Sequence, residues 1–310
     1  MAYVDSVSVP RRKRMKKMSS GDLLFAICAW TFLILFCLIT LYPFFRMIAL
    51  SFSGSIDAVK SGGLYLIPRH PTLENYVQVL FKRESIRNGA ITTVARTAIG
   101  TITALSANAF LAYILSRRKF LFRSQLSLFW VFTLYVSGGI VPIAILMKHL
   151  HLLGSFWVYI LPGMVSAYHV MVMKAYMEKI PDSLEESAQL DGAGHLKIFF
   201  HIVSPLCKPL YAAIALFIAT YHWHAWFDAM LFNRLDVKIT TLQYELMKYS
   251  TQTVAIATER IHGGSLDQNT PTPSTMSAAL AIVSMVPILL LYPFLQKYFE
   301  TGLKIRGLKK

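Results

Sequence analysis

Charge is what this 310-residue chain has least of: Asp, Glu, Lys and Arg make up 15% of it, against about 25% in an ordinary soluble domain. A soluble globular fold is therefore not expected. Cysteine is scarce too. Cys28 and Cys37 fall inside one apolar segment and Cys207 near the end of another, which leaves no basis for a disulfide framework. No G-x-x-x-x-G-K-[ST] occurs, so the chain lacks the usual cradle for nucleotide phosphates. No H-E-x-x-H and no nucleophile constellation marks an intramembrane hydrolase. Tandem repeats are missing, and "NTPTPST" is the one low-complexity run.

Apolar residues fill the space instead, at 55% of the chain, with 13% aromatic. Crossing about 30 Å of hydrocarbon takes roughly 20 mainly apolar residues. Six segments qualify: Leu23–Phe52, Gly89–Leu115, Leu126–Met147, Phe156–Tyr176, Pro205–Phe232 and Met276–Phe299. Lengths beyond the minimum allow tilt. The first is too long for a signal peptide and has no small-residue cleavage site, so it is expected to remain as an anchor. The fold class that follows is all-α and polytopic, with membrane lipid against its apolar surface.

The net charge of +15 is placed rather than spread. Arg11, Arg12, Lys13, Arg14, Lys16 and Lys17 precede the first segment; Arg117, Arg118, Lys119 and Arg123 follow the second; Lys304, Arg306, Lys309 and Lys310 close the chain. With six spans and the N-terminus inside, all three clusters lie on the cytoplasmic face, as the positive-inside rule requires. Nucleic acid is not an expected partner, since no recognition motif accompanies the charge.

Two loops, 53–88 and 233–275, then fall outside. Both are too long for simple connections, and long ordered loops are usually functional. In the second, "TTLQYELMKYS" spaces Leu242, Leu246 and Tyr249 for a helix. "SGGIVP" interrupts the third segment at Gly138 and Gly139; irregular backbone at membrane depth lines a cavity or packs against protein. "YHWHAWFD" leaves three readings open. Trp223, Trp226 and Tyr221 suit an interfacial belt. His224 and Asp228, four apart, suit two ligands of a metal site with no third in view. Trp223 or Trp226, sharing one helix face, suits stacking on a sugar, with Asp228, His222 and Asn233 bonding its hydroxyls. Asn108 and Arg96 are expected to face protein or the pathway, and Met147, Met164, Met171 and Met173 to be packing.

The stretch "IPDSLEESAQLDGAGHLKIFFHIVSPLCKPL", from Ile180 to Leu210, breaks the apolar pattern. Pro181 suits a helix start. Asp182, Glu185 and Glu186 favour the positive end of the dipole, and Gly192 and Gly194 permit a sharp turn. Leu196, Phe199, Phe200 and Val203 then space an amphipathic helix. An interfacial helix lying on lipid would carry Lys and Arg on its polar face; acids there are repelled by anionic lipid. A socket on a protein partner fits better.

"EESAQLDGAGHLKIFFHIVSP" resembles the cytoplasmic signature of ABC importer permeases, with Glu186, Ser187 and Ala188 at its E-A-A positions and Gly192 at its glycine. Ser187 for alanine and Ser204 before Pro205 depart from the pattern. "LYPFFRMIALSFS", "TLENYVQVL", "SGGIVPIAIL", "LLGSFWVYILP" and "YPFLQKYF" extend the resemblance to the carbohydrate-uptake branch of that family. The resemblance implies a type I ABC importer permease fold in the cytoplasmic membrane of a bacterium. A basic segment 1–22 would precede a six-helix domain 23–300, and a basic tail 301–310 would follow. Within 180–204 it implies a coupling helix, with Glu185, Glu186, Ser187, Ala188, Asp191 and Gly192 against an ATPase. It also implies a second permease, an ATPase dimer and an extracellular solute-binding protein. ATP and magnesium would be held by the ATPase and no cofactor by this chain. The substrate pathway is expected at Trp223, Trp226, Asp228, Asn233, Gly138 and Gly139. The alternative is a gradient-driven secondary transporter, which would show internal symmetry and a titratable relay.

Overall fold

The computed structural model describes residues 20–54, 66–68, 70–259 and 271–307, with backbone alone for 253–259 and 291–307. The basic residues 11–17, most of "GGSLDQNTPTPST", Lys309 and Lys310 lie outside these. The described residues are mostly helical. The first unit ends at Arg46 and holds most of α1 (Ser20–Ser51), a helix apolar enough to cross a membrane.

The second unit, from Met47 onward, is organised around α3 (Glu84–Ser116). Before it comes the short α2 (Glu74–Val77), continued by a π turn, Gln78–Lys82. Small residues let neighbours approach α3 closely. A Cβ on Gly89 would lie 3.1 Å from the backbone of Leu242, and one on Gly100 would collide with the His222 ring. Against α3 pack α6 (Ala167–Met177), α9 (Lys208–His224) and α11 (Leu242–Glu259). The last helix, α12 (Pro273–Gly307), packs on α9 and α11. Leu242 is buried, with Leu246 and Tyr249 half-buried beside it, so the helical spacing expected of this loop holds.

Among the described residues, three helices are long and apolar enough to span as single rods: α1, α3 and the Pro273–Leu290 part of α12. The other three expected spans are each bent, the third at the interruption expected there and the fourth and fifth without one having been expected. The third is α4 (Arg123–Tyr135) and α5 (Ile140–His149), at 115° to each other across Gly138 and Gly139. Gly139 takes φ 86, a conformation that other residues resist. The fourth is a pair of 3-10 turns, Phe156–Tyr159 and Leu161–Gly163, set 47° from α6. At that break Asn108 supplies the missing backbone partners: its Nδ2 donates to the Met164 carbonyl at 3.1 Å and its Oδ1 accepts from Ser166 N at 2.8 Å. Asn108 is fully buried, as are Arg96 and Met173, and Met147 is nearly so.

The fifth expected span, Pro205–Phe232, is broken twice. A helix α8 (His195–Leu206) meets α9 at 82°, and α9 stops at His224 before α10 (Phe227–Phe232). Trp223 and Trp226 therefore do not share one face, nor do His224 and Asp228, because the helix that would align them ends between them. In α8 the buried side is Ile198, Phe199 and Val203, while Leu196 and Phe200 are exposed. A π turn runs over Phe199–Val203, and it brings Ile198 and Val203, five apart, to one side.

Candidate functional site

The polar stretch folds as helix α7, Asp182–Leu190, with Pro181 just before it. Its end follows from Gly192, which takes φ 77. Ala193 N then donates to the Ala188 carbonyl at 2.9 Å and Gly192 N to that of Gln189 at 3.0 Å. This pair of bonds satisfies carbonyls that a helix C-terminus leaves free. Gly194 has an ordinary negative φ of −72, so of the two glycines only Gly192 is required by backbone conformation.

The loop after α3 grips α7 from one side. Arg117, Arg118 and Lys119 are consecutive, and they reach Glu185, Asp182 and Gln189 respectively. Those three positions are spaced i, i+3 and i+7, one face of a helix. The contacts differ in quality. Arg118–Asp182 is 3.7 Å and exposed, and Lys119 Nζ to Gln189 Oε1 is 3.5 Å. Arg117 pairs with Glu185 where the two side chains keep only 13% and 9% exposure. Burial lowers the pKa of Arg117, opposed by Tyr113 and nearby acids, yet a guanidinium stays charged.

Away from that face α7 is exposed among the described residues. Ser187 is exposed there, and Leu190 is 89% exposed beside exposed Asp191 and Gly192, while Glu186 is exposed at the edge of the gripped face, in the cleft with Arg117 and Lys119. The expectation that Glu185 and Glu186 face a partner together is corrected here: Glu185 turns inward. Ala188 is half-buried against the core around α3, α6 and α8. The three basic residues were legible only as a membrane-orientation signal; their spacing against 182, 185 and 189 was the signal available in the sequence.

At the far end of α3 lies a second cluster. Arg96 is wholly buried and holds Asp228 through two bonds, Nη1–Oδ1 at 3.1 Å and Nη2–Oδ2 at 2.5 Å. It also donates to the Ala225 carbonyl at 3.3 Å, which the end of α9 leaves free, and its guanidinium lies 4.6 Å from the Tyr159 ring centroid. Asn233 bonds the turn at Gly154 and Ser155. Trp223 donates to the Ser284 carbonyl of α12 at 3.0 Å, while Trp226 packs near Tyr159 and Ala229. These four expected pathway residues are thus engaged within the subunit. Gly138 and Gly139, by contrast, are exposed at their bend. Among the described residues no three His, Cys, Asp or Glu gather as metal ligands. A cavity of about 510 Å³ opens between the π turn after α2, the start of α3, α11 and the start of α12; Gln78, Arg83, Ser85, Lys248, Tyr249 and Gln252 line it.

Comparison with known proteins bears on all of this. Residues 96–305 match the family described as binding-protein-dependent transport system inner membrane component. The polygalacturonan/rhamnogalacturonan transport system permease protein YtcP of Bacillus subtilis is 35% identical over 92% of this chain and 98% of its own length. The melibiose/raffinose/stachyose import permease protein MelC of the same organism is 29% identical over 96% and 99%. Among solved structures, a bacterial ABC transporter involved in the import of the acidic polysaccharide alginate superposes with a TM-score of 0.77 at 28% identity, covering 92% of this chain and all of that one.

Proposed function

The chain belongs to the family of binding-protein-dependent transport system inner membrane components, and from that premise we propose that it passes carbohydrate, as oligosaccharides or polysaccharide-derived sugars, through the cytoplasmic membrane. It is the permease component of an ABC importer, not an enzyme and not a gradient-driven transporter; ATP is hydrolysed by a separate subunit. Permeases of this family work with a second permease, an ATPase and a solute-binding protein. The finer reading is a heterodimer of permeases on an ATPase dimer that holds ATP and magnesium.

Each bent pair counts here as one span, which allows six over 23–300, and the basic clusters support placing both termini in the cytoplasm. Helix α7 then meets the ATPase and the 510 Å³ cavity faces outward. The observation that carries this reading is the two-sidedness of α7, with Asp182, Glu185 and Gln189 turned to its own chain, Ser187, Leu190 and Asp191 exposed away from it, and Glu186 exposed at the edge between. The cargo rests on relatives named for polygalacturonan and rhamnogalacturonan, melibiose and its homologues, and alginate. The cavity's amide and hydroxyl groups, with Arg83 and the Lys248–Glu245 pair beside them, suit hydroxyl-rich solutes, and its volume is within the usual range of about 300–1,000 Å³ for ligand sites. The exposed apolar faces of α4 and α5, with Gly138 and Gly139 between them, suit the second permease and the pathway between the two.

The test is reconstitution in vesicles with the second permease, the cognate ATPase and the binding protein. ATP-dependent accumulation of oligogalacturonides or galacto-oligosaccharides is expected. Accumulation of another solute class, with none of any oligosaccharide, refutes the cargo.

A further inference from the structure

Helix α7 is fastened to its own chain in an unusual way. Its one buried side chain is a charged one, Glu185. A nine-residue helix normally sits on an apolar stripe; here Ala188 supplies only a half-buried contact. The attachment therefore depends on the partner of Glu185, which is Arg117 at the end of α3.

Arg117 is itself braced from several directions. Its Nε donates to Ser116 Oγ at 3.1 Å and its Nη2 to the Met177 carbonyl, in the last turn of α6, at 3.4 Å. Its guanidinium lies 5.0 Å from the Tyr113 ring centroid. A fork with several fixed donors resists reorientation in a way that an ammonium does not. The exposed contacts of Arg118 and Lys119 contribute little stiffness, since exposed pairs are screened and mobile.

We propose that Arg117 is the positioning residue of the coupling helix: by holding Glu185 against the ends of α3 and α6, it makes a displacement of α7 a displacement of α3. The proposal rests on α7 being the ATPase contact. Helix α3 packs on α6, α9 and α11, so movement entering at Arg117 reaches most of the bundle. A substitution in this pair uncouples rather than merely weakens.

The test uses the assembled importer, with Cys28, Cys37 and Cys207 replaced. Arg117→Cys and Glu185→Cys are introduced together, so that no unpaired buried charge remains to prevent folding. Sugar taken up per ATP hydrolysed is measured before and after bridging the two thiols with a short bifunctional reagent. Loss of the strut is expected to lower that ratio about tenfold, the size of coupling change that residues along such networks produce. Bridging should recover at least half of it. A ratio that stays at the parent's value in the reduced protein, or stays low once bridged, overturns the proposal. Glu186→Lys serves as the control for the underlying reading. If ATPase still co-purifies and transport persists in that variant, α7 is not the ATPase contact, whatever the double-cysteine result.

Discussion

Replacing Asp228 by alanine tests what the cluster at the break between α9 and α10 is for. A residue lining a sugar path would, once removed, cost transport and leave assembly intact. The geometry argues otherwise. Arg96 has no exposure, and both carboxylate oxygens of Asp228 are spent on it. Removing one partner of a buried pair costs about 3–5 kcal/mol, because the other charge is stranded. Two contacts would survive for Arg96, the Ala225 carbonyl at 3.3 Å and the Tyr159 ring at 4.6 Å. They argue for the lower figure. Asp228 also accepts from Ala229 N at 2.9 Å, and that loss adds about 1 kcal/mol. A total near 4 kcal/mol is a large share of the roughly 5–15 kcal/mol that holds a domain folded. Asp228→Ala should therefore lower the membrane abundance of the subunit and the melting midpoint of the solubilised complex. Arg96→Met combined with Asp228→Leu should recover most of both, since an apolar pair avoids the stranded charge. If Asp228→Ala accumulates and melts like the parent but fails to transport, Asp228 is a pathway group and the structural account is wrong.

Gly100→Ala should destabilise by about 1–3 kcal/mol, as overpacking does, because its methyl would meet the His222 ring; combining it with His222→Ala should relieve the loss in a thermal-aggregation assay. Glu178 lies beyond α6, where burial raises its pKa but the hydrogen bond from Arg123 and the charge of Lys174 outweigh this and hold it below the ordinary 4.5. Its contribution is then present above that ordinary value and lost as pH falls through the lower folded value; Glu178→Gln should flatten the fall in melting midpoint on acidification below about pH 4.5, and an unchanged acid profile would discount the pair. Orientation is checked with single cysteines in a background free of the native three. Leu235→Cys should react with an impermeant thiol reagent on intact cells and Lys179→Cys only after lysis, and labelling of both from outside would reject the N-inside arrangement.

The sequence made plain which segments are apolar and where the polar stretch interrupts them, because both are local properties. It also made plain the turn at Gly192, whose positive φ only glycine takes easily. It did not show the break at Ala225, because "HWHAWFD" contains no glycine or proline and reads as continuous helix. The break is held by Arg96, which bonds Ala225 from 129 residues earlier and Asp228 from 132, and no periodicity links residues so far apart. The inward turn of Glu185 was hidden for a similar reason. Two adjacent acids look alike until a distant loop supplies an arginine for one of them.

That same separation of 132 residues between Arg96 and Asp228 is also an interval of time. At about 5–20 residues per second, the ribosome needs roughly 7–26 s to reach Asp228 after making Arg96. Throughout it, α3 has entered the membrane with a guanidinium that lacks its carboxylate. An unpaired arginine costs up to about 2.5–3.5 kcal/mol on the insertion scale, the figure for a helix centre. Either Arg96 reaches back toward an interface during that wait or the insertion machinery retains α3 until α10 arrives. The chain is thus obliged to finish its third bent pair before its second rod can settle, and biogenesis runs against the order of synthesis.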